Sequence, residues 1–487
     1  MPDRFPIAKL VFLALLFSLQ LIQGCSVNPV SGQANLALIS EQQEIRIGRE
    51  NHPKVLAQYH RYPDEALQKY ISDIGQKLAM HSHRTNLIYR FTLLDSKEVN
   101  AFALPGGYIY ITRGLLAYLN SEAELAAVLG HEIGHVTARH AVRQISAARA
   151  AQLGYQIGAL FVPEMRTQGA SQLFNILGSA LISGYGREHE LEADQLGVEY
   201  MEKSGYPSSA MLSVLGLLKD QETFEVQLAK EEHRKPHVYH GVFASHPDND
   251  TRLQNVIQTQ PSEDNLAAPQ DLAFLERLKG LTFGEGAEEG VLRQNHFYHL
   301  DMNFSLEFPE GWHIQNQPDG LVATAPDGEA SLTVTAEDLN LKISPLQFIH
   351  DRLHIRNMIS PEPLLIHGLR AYTLQTSHKQ GMQRLTVIFH QSKAFIITGV
   401  TKDPTLFSSH DHYFLKTSKS FHSLSKDERV LANARKLDLV KADSTHAIED
   451  LAISSQLGPH AKEILELLNH LYPGKSPQVG QWLKTVR

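Results

Sequence analysis

Two histidines four residues apart, with a glutamate directly after the first, form the run His131-Glu132-Ile133-Gly134-His135. Around it Leu125, Val128, Leu129, Ile133 and Val136 recur at helical spacing, and Ser121 with Glu124 three residues on reads as the N-terminal cap. On a helix, residues four apart share a face, with Cβ atoms about 5–6 Å apart, so both imidazoles can point at one cation. Zinc accepts neutral imidazole nitrogen and carboxylate oxygen, and a catalytic site uses three protein ligands so that water can take the fourth position. Glu132 is placed to take a proton from that water. The chain has a single cysteine, Cys25, so no disulfide can form within it and the ligands must come from His, Asp and Glu.

The pattern needs a third ligand. The metzincin continuation fails, because Ala138 stands where glycine is required and Ala141 where the third histidine would be. The run Arg187-Glu188-His189-Glu190-Leu191-Glu192-Ala193-Asp194 offers carboxylates on a second helix. Glu190 and Asp194 share one helical face, so the first can bind metal while the second accepts the free N–H of a ligand histidine. The alternative is that Glu188, Glu190, Glu192 and Asp194 are a solvated acidic face, the usual meaning of such a run.

Taken together, the His131–His135 helix, the Glu190–Asp194 segment and the later His246-Pro247-Asp-Asn-Asp-Thr-Arg252 resemble the M48 (Ste24/HtpX-like) peptidases, in their soluble periplasmic, BepA-like branch. The resemblance covers about residues 36–257, including Asn100–Leu116. It implies a gluzincin-like fold with His131, His135 and Glu190 on one Zn2+ per chain, Glu132 as general base and Asp194 behind a ligand histidine. It further implies that the segment from Asn100, Ala101 and Phe102 onward supplies an edge strand for substrate backbone. For His246 it implies a latch over the fourth metal position; stabilisation of the oxyanion by His246 or Arg252 is a second functional reading, and a surface histidine in a turn is the alternative to both. The tetratricopeptide repeats of that branch are missing downstream, so only the peptidase chemistry carries over.

At 487 residues the chain is long enough for two or three domains, and 42% hydrophobic with 20% charged residues excludes disorder. A formal charge of −8 without a Lys/Arg block leaves a nucleic-acid partner no footprint. Arg4 and Lys9 precede an apolar run from Leu10 to Ile22 that is too short to span a bilayer and reads as a signal peptide over residues 1–24. Ile22-Gln23-Gly24-Cys25 resembles a lipobox, so residues 25–38 are expected to be a tether lipidated at Cys25, and Ser26 points to the outer membrane facing the periplasm. The Ala150–Gly184 stretch is read as core helices with a connecting lid.

The expected fold class is α+β. A mainly helical peptidase domain with a small sheet covers 39–257, followed by a linker over 258–295 and a separate α+β domain over 296–425. The residues at 432–487 resemble a LysM-like module of strand, two helices and strand, which implies peptidoglycan contact; a structural cap is the alternative. The expected function is a zinc endopeptidase acting on unfolded or misassembled envelope proteins, the rival being an assembly factor or chaperone whose zinc site is structural or dormant.

Overall fold

The computed structural model describes residues 25–27, 29–30, 32, 34–36, 38–149, 185–231, 236, 251–252, 256, 271–317, 320–339, 342–378, 381–455 and 457–487. His246 and the whole Ala150–Gly184 stretch lie outside the described residues. The chain divides into two compact units, one of residues 1–283 with 436–487, the other Gly284–Arg435.

In the first unit, the backbone of β1 (Cys25–Val27) pairs with β2 (Ala34–Leu36). Helix α1 (Glu41–Tyr59) opens on a capping box at Ser40, and α2 (Glu65–Ala79) on Asp64, whose carboxylate accepts from Leu67 N. Between them the helical period breaks near Pro63, as the sequence predicts. β3 (Arg90–Leu94) runs parallel to β5 (Tyr108–Thr112), and β4 (Ala101–Leu104) lies antiparallel on the other side of β5. The order β3-β5-β4 leaves β4 at the edge. Gly106 and Gly107, both at positive φ (84° and 88°), make the tight turn between β4 and β5 that a side chain would strain. After the short α3 (Arg113–Tyr118), the helix α4 (Glu122–Thr137) begins where Ser121 Oγ accepts from Glu124 N. Then come α5 (Arg187–Lys203) and α6 (Ser209–Glu231). No helix among the described residues is long and apolar enough to cross a membrane.

Part of the expected linker is ordered structure: α7 (Leu272–Leu278) and β6 (Thr282–Phe283) complete this stretch of the first unit. The second unit begins at Gly284, earlier than the expected boundary at 296, because β7 (Val291–Arg293) pairs with β8 (His296–His299) through a turn at Gln294, which has positive φ. β8 pairs in turn with β9 (Phe304–Glu307). A larger antiparallel sheet follows from β10 (His313–Gln317), β11 (Gly320–Thr324), β12 (Ala330–Asp338), β13 (Ile359–Ile366), β14 (Leu369–His378), β15 (Gly381–His390) and β16 (Lys393–Thr401). Its order is β10-β11-β12-β16-β15-β14-β13. Helix α8 (Phe407–Ser420) lays Phe414 over Gly399, where a Cβ would meet the ring at 2.2 Å. Phe304, Phe395 and Phe421 fill the same core.

The chain then returns to the first unit with β17 (Arg435–Lys441), α9 (Ala447–Ser455), α10 (Ala461–Leu468) and β18 (Trp482–Val486). The element order matches the expected strand, two helices and strand, but the segment does not stand apart. β17 lies between β18 and β6, and Leu437, Ile448, Leu465, Leu468, Leu483 and Val486 join the core of residues 62–281. The reason is amphipathicity: α10 is too short to bury its apolar face alone.

Polar pins from this segment also hold the residues just before α4. Lys484 Nζ donates to the carbonyls of Ala117 (2.6 Å) and Leu119 (2.8 Å), and His470 Nε2 donates to Tyr118 O at 3.1 Å. Burial pushes the Lys484 ammonium down and the Glu124 carboxyl up. Burial, aided by Lys484, lowers His470 to about 4. The folded state therefore binds the His470 proton more weakly than the unfolded chain does. Its contribution is complete above about pH 6.5 and is lost as pH falls toward 4, by up to about 3 kcal/mol. His470→Gln keeps an N–H donor without the titration, so its urea midpoint should fall less steeply than wild type across that window; parallel curves would contradict the assignment.

Candidate metal centre

The site is built where α4 crosses α5, and small residues decide how close the helices come. A Cβ on Gly134 would sit 2.8 Å from Ala193 O and 3.0 Å from Ala193 Cα, and one on Gly197 would sit 3.0 Å from His131 N. Gly130 faces Gly197 in the same way, its Cβ position lying 3.2 Å from Gly197 O. Four-residue spacing of small residues on both helices thus brings the backbones together. Sequence reading missed this, although Gly130, Gly134, Ala193 and Gly197 carried the signal. Gly134→Ala gains about 1 kcal/mol of helix propensity but overpacks the crossing by about 1–3 kcal/mol. The expected result is metal affinity about tenfold weaker by chelator competition; unchanged affinity would show that the crossing has slack.

At that crossing His131, His135 and Glu190 converge, all buried, with a ligand atom from each within 4.8 Å of the others. His131 Nε2 and His135 Nε2 are 2.9 Å apart, and each is 3.5 Å from a Glu190 oxygen. Bonds of 2.0–2.2 Å in a tetrahedral shell put ligand atoms about 3.3 Å apart, so the spacing suits such a cation. The donor chemistry agrees. His131 Nδ1 donates to Asp194 Oδ1 at 2.8 Å, which leaves Nε2 as a lone pair facing the other donors. Glu190 and Asp194 are fully buried while Glu188 is exposed and Glu192 half-buried, so the acidic run is not a solvated face.

Arg252 locks the carboxylates. Its Nε and Nη2 each donate to Asp194 at 2.8 Å, and Nη1 lies 3.4 Å from Glu190 Oε2. Burial alone would raise Asp194, but Arg252 and the His131 hydrogen bond outweigh it and hold the carboxyl below its ordinary value. For His131 burial pulls down, and the bonds to Asp194 and Glu190 win, raising it. Arg252 thus stands behind the ligands in this structure, in contact with both Asp194 and Glu190.

Glu132 is 2% exposed and lines a small apolar pocket with Ala101, Val128, Met211, Leu215 and Leu218. Ala101 therefore joins β4 to the site. Asn100 is buried and pairs with Thr112, its N–H donating to Oγ1 at 3.1 Å, while Phe102 stacks on Tyr110. On the far side, His135 stacks on Tyr185 with ring centroids 4.1 Å apart. His135 Nδ1 lies 2.8 Å from His140 Nδ1, a residue the sequence reading passed over.

Residues 65–260 match the profile of Peptidase family M48. The chain is 29% identical over 273 residues to a beta-barrel assembly-enhancing protease of Yersinia pestis, covering 54% of this chain and 53% of that protein. It is 31% identical over 197 residues to the protein of the same name from Escherichia coli K12, covering 39% and 38%. It is also 26% identical over 240 residues to the mitochondrial metalloendopeptidase OMA1 of Schizosaccharomyces pombe, covering 48% and 66%. The chain spans about half or less of the length of the first two relatives.

Proposed function

We propose, from the premise that residues 65–260 of this chain are a peptidase domain of family M48, that the protein is a zinc-dependent endopeptidase of the bacterial cell envelope. The observation that carries this is the convergence of His131, His135 and Glu190 beside Glu132, with Asp194 and Arg252 fixing the ligands from behind.

At such a donor set zinc supplies Lewis acidity toward a peptide carbonyl and makes water acidic enough to ionise near neutral pH. Glu132 takes the proton from the attacking water and later returns it to the leaving amine. β4 is an edge strand of its sheet among the described residues, a position that suits pairing with an extended substrate. Ala101 of β4 lines the pocket beside Glu132, with Asn100 and Phe102 on either side of it in the chain, and that pocket suits an apolar substrate side chain. Extended backbone and apolar side chains are exposed together in unfolded or misassembled envelope proteins, which we take as the substrate class.

His246 and Arg252 belong to the same reading. His246 acts as a removable latch over the metal, so His246→Ala should raise proteolysis at unchanged zinc; a fall of roughly 100-fold would instead make it an oxyanion donor. A signal peptide and lipidation at Cys25 would tether the body to the outer membrane, facing the periplasm, and residues 432–487 would bring it near peptidoglycan.

The test is cleavage of an unfolded protein by the purified chain before and after chelation, with zinc added back. Loss on chelation and recovery with zinc are expected. Cleavage that survives complete metal removal would overturn the reading, and tight zinc binding with no cleavage would favour the assembly-factor alternative.

A further inference from the structure

We propose that His140 is a positioning residue for the metal ligand His135, holding its ring through an imidazole-to-imidazole hydrogen bond that is anchored in turn by Glu192 and Arg143. This rests on the metallopeptidase reading and goes beyond it, since the ligand set does not include His140.

The local backbone is bent to make the contact. Helix α4 ends at Thr137, Ala138 caps it, and Arg139 adopts φ 57°, a left-handed conformation that costs a non-glycine residue about 1–2 kcal/mol. Arg139 is kept there by hydrogen bonds to Glu44 Oε2 and Ile39 O, both 2.9 Å. A new helical stretch starts at His140. The kink turns His140, fully buried, back against His135.

Hydrogen-bond direction then follows from one requirement. Two Nδ1 atoms 2.8 Å apart need one proton between them. A His135 that offers Nε2 to a metal carries its proton on Nδ1, so His135 donates and His140 accepts. That puts the His140 proton on Nε2, which donates to Glu192 Oε2 at 3.0 Å. Arg143 Nη1 donates to the same oxygen at 2.9 Å. His189 stacks on His140 with ring centroids 4.3 Å apart and an interplanar angle of 16°, which restrains the ring. The reverse tautomer would set a His140 Nε2 lone pair against the Glu192 carboxylate, with no proton between them.

The two ligand histidines are thus supported differently. His131 donates directly to a carboxylate held by Arg252, whereas His135 donates to a neutral imidazole and reaches a carboxylate only through it. A relay of this kind tunes ligand orientation and basicity, and its loss costs 10–100-fold in metal affinity in comparable sites.

The experiment measures zinc affinity by chelator competition on the full chain, with circular dichroism of the metal-free protein as the check on folding. His140→Leu removes the acceptor and is expected to bind zinc roughly 10- to 100-fold more weakly. His140→Asn places an amide oxygen near the Nδ1 position and should bind within a few-fold of wild type. Affinity of a folded His140→Leu within twofold of wild type would overturn the proposal, as would an Asn variant as weak as Leu, which would indicate packing alone. Should His140→Leu not fold, Glu192→Ala decides, because Glu192 is half-buried outside the core: unchanged affinity there overturns the relay, and a several-fold loss supports it. A wild-type chain that takes up no zinc overturns both the relay and the reading beneath it.

Discussion

Glu132→Gln is expected to keep about one zinc per chain and to lose roughly 100- to 10,000-fold in turnover, the range associated with removing a positioned general base. The substitution changes one oxygen to an amide nitrogen, so the α4–α5 crossing and its ligands stay in place. Glu190→Ala should behave oppositely at the metal. It removes a fully buried carboxylate that sits 3.5 Å from both imidazoles, so zinc is lost along with activity. Zinc content and cleavage rate measured on the same preparations separate the two roles. A Gln variant that cleaves at near wild-type rate would remove Glu132 from the mechanism, and an Ala variant that retains stoichiometric zinc would remove Glu190 from the ligand set.

Deleting residues 436–487 is expected to destroy the peptidase unit rather than merely trim a binding module. The segment contributes Leu437, Ile448, Leu465, Leu468, Leu483 and Val486, each at most 2% exposed, to the core shared with residues 62–281. Burying such a side chain is worth about 1.5–3 kcal/mol, an upper figure for a chain already compact when unfolded. Six of them rival the whole net stability of a domain, about 5–15 kcal/mol. The deletion also strips β17 from beside β6, where Leu437 N donates to Leu281 O at 2.8 Å, and removes the Lys484 and His470 pins from residues 117–119. The expected result for a chain of residues 26–435 is loss of zinc uptake and cleavage, with any remaining cooperative melt coming from residues 284–435. Normal zinc stoichiometry in that chain would instead establish residues 436–487 as an appendage.

How much of this was legible in the sequence differs between site and architecture. The four-residue spacings His131 to His135 and Glu190 to Asp194 were readable because helical periodicity puts such pairs on one face whatever surrounds them. The α4 cap at Ser121, the strand Tyr108–Thr112 and the alternating strands of the second unit were readable for the same reason, since each is decided within a few residues. What spacing could not supply was the pairing of faces. Glu190 could have been a ligand or part of a solvated run; only the approach of α5 to α4, permitted by Gly130, Gly134, Ala193 and Gly197, buries it beside the histidines. His140 was invisible because its role depends on a left-handed turn at Arg139, and a non-glycine residue gives no local sign of adopting one. The place of residues 436–487 was hidden likewise. Their strand and helix pattern shows what forms locally, whereas which core an amphipathic face joins is settled by apolar surface far away in the chain, and a sequence read along its length does not contain that distance.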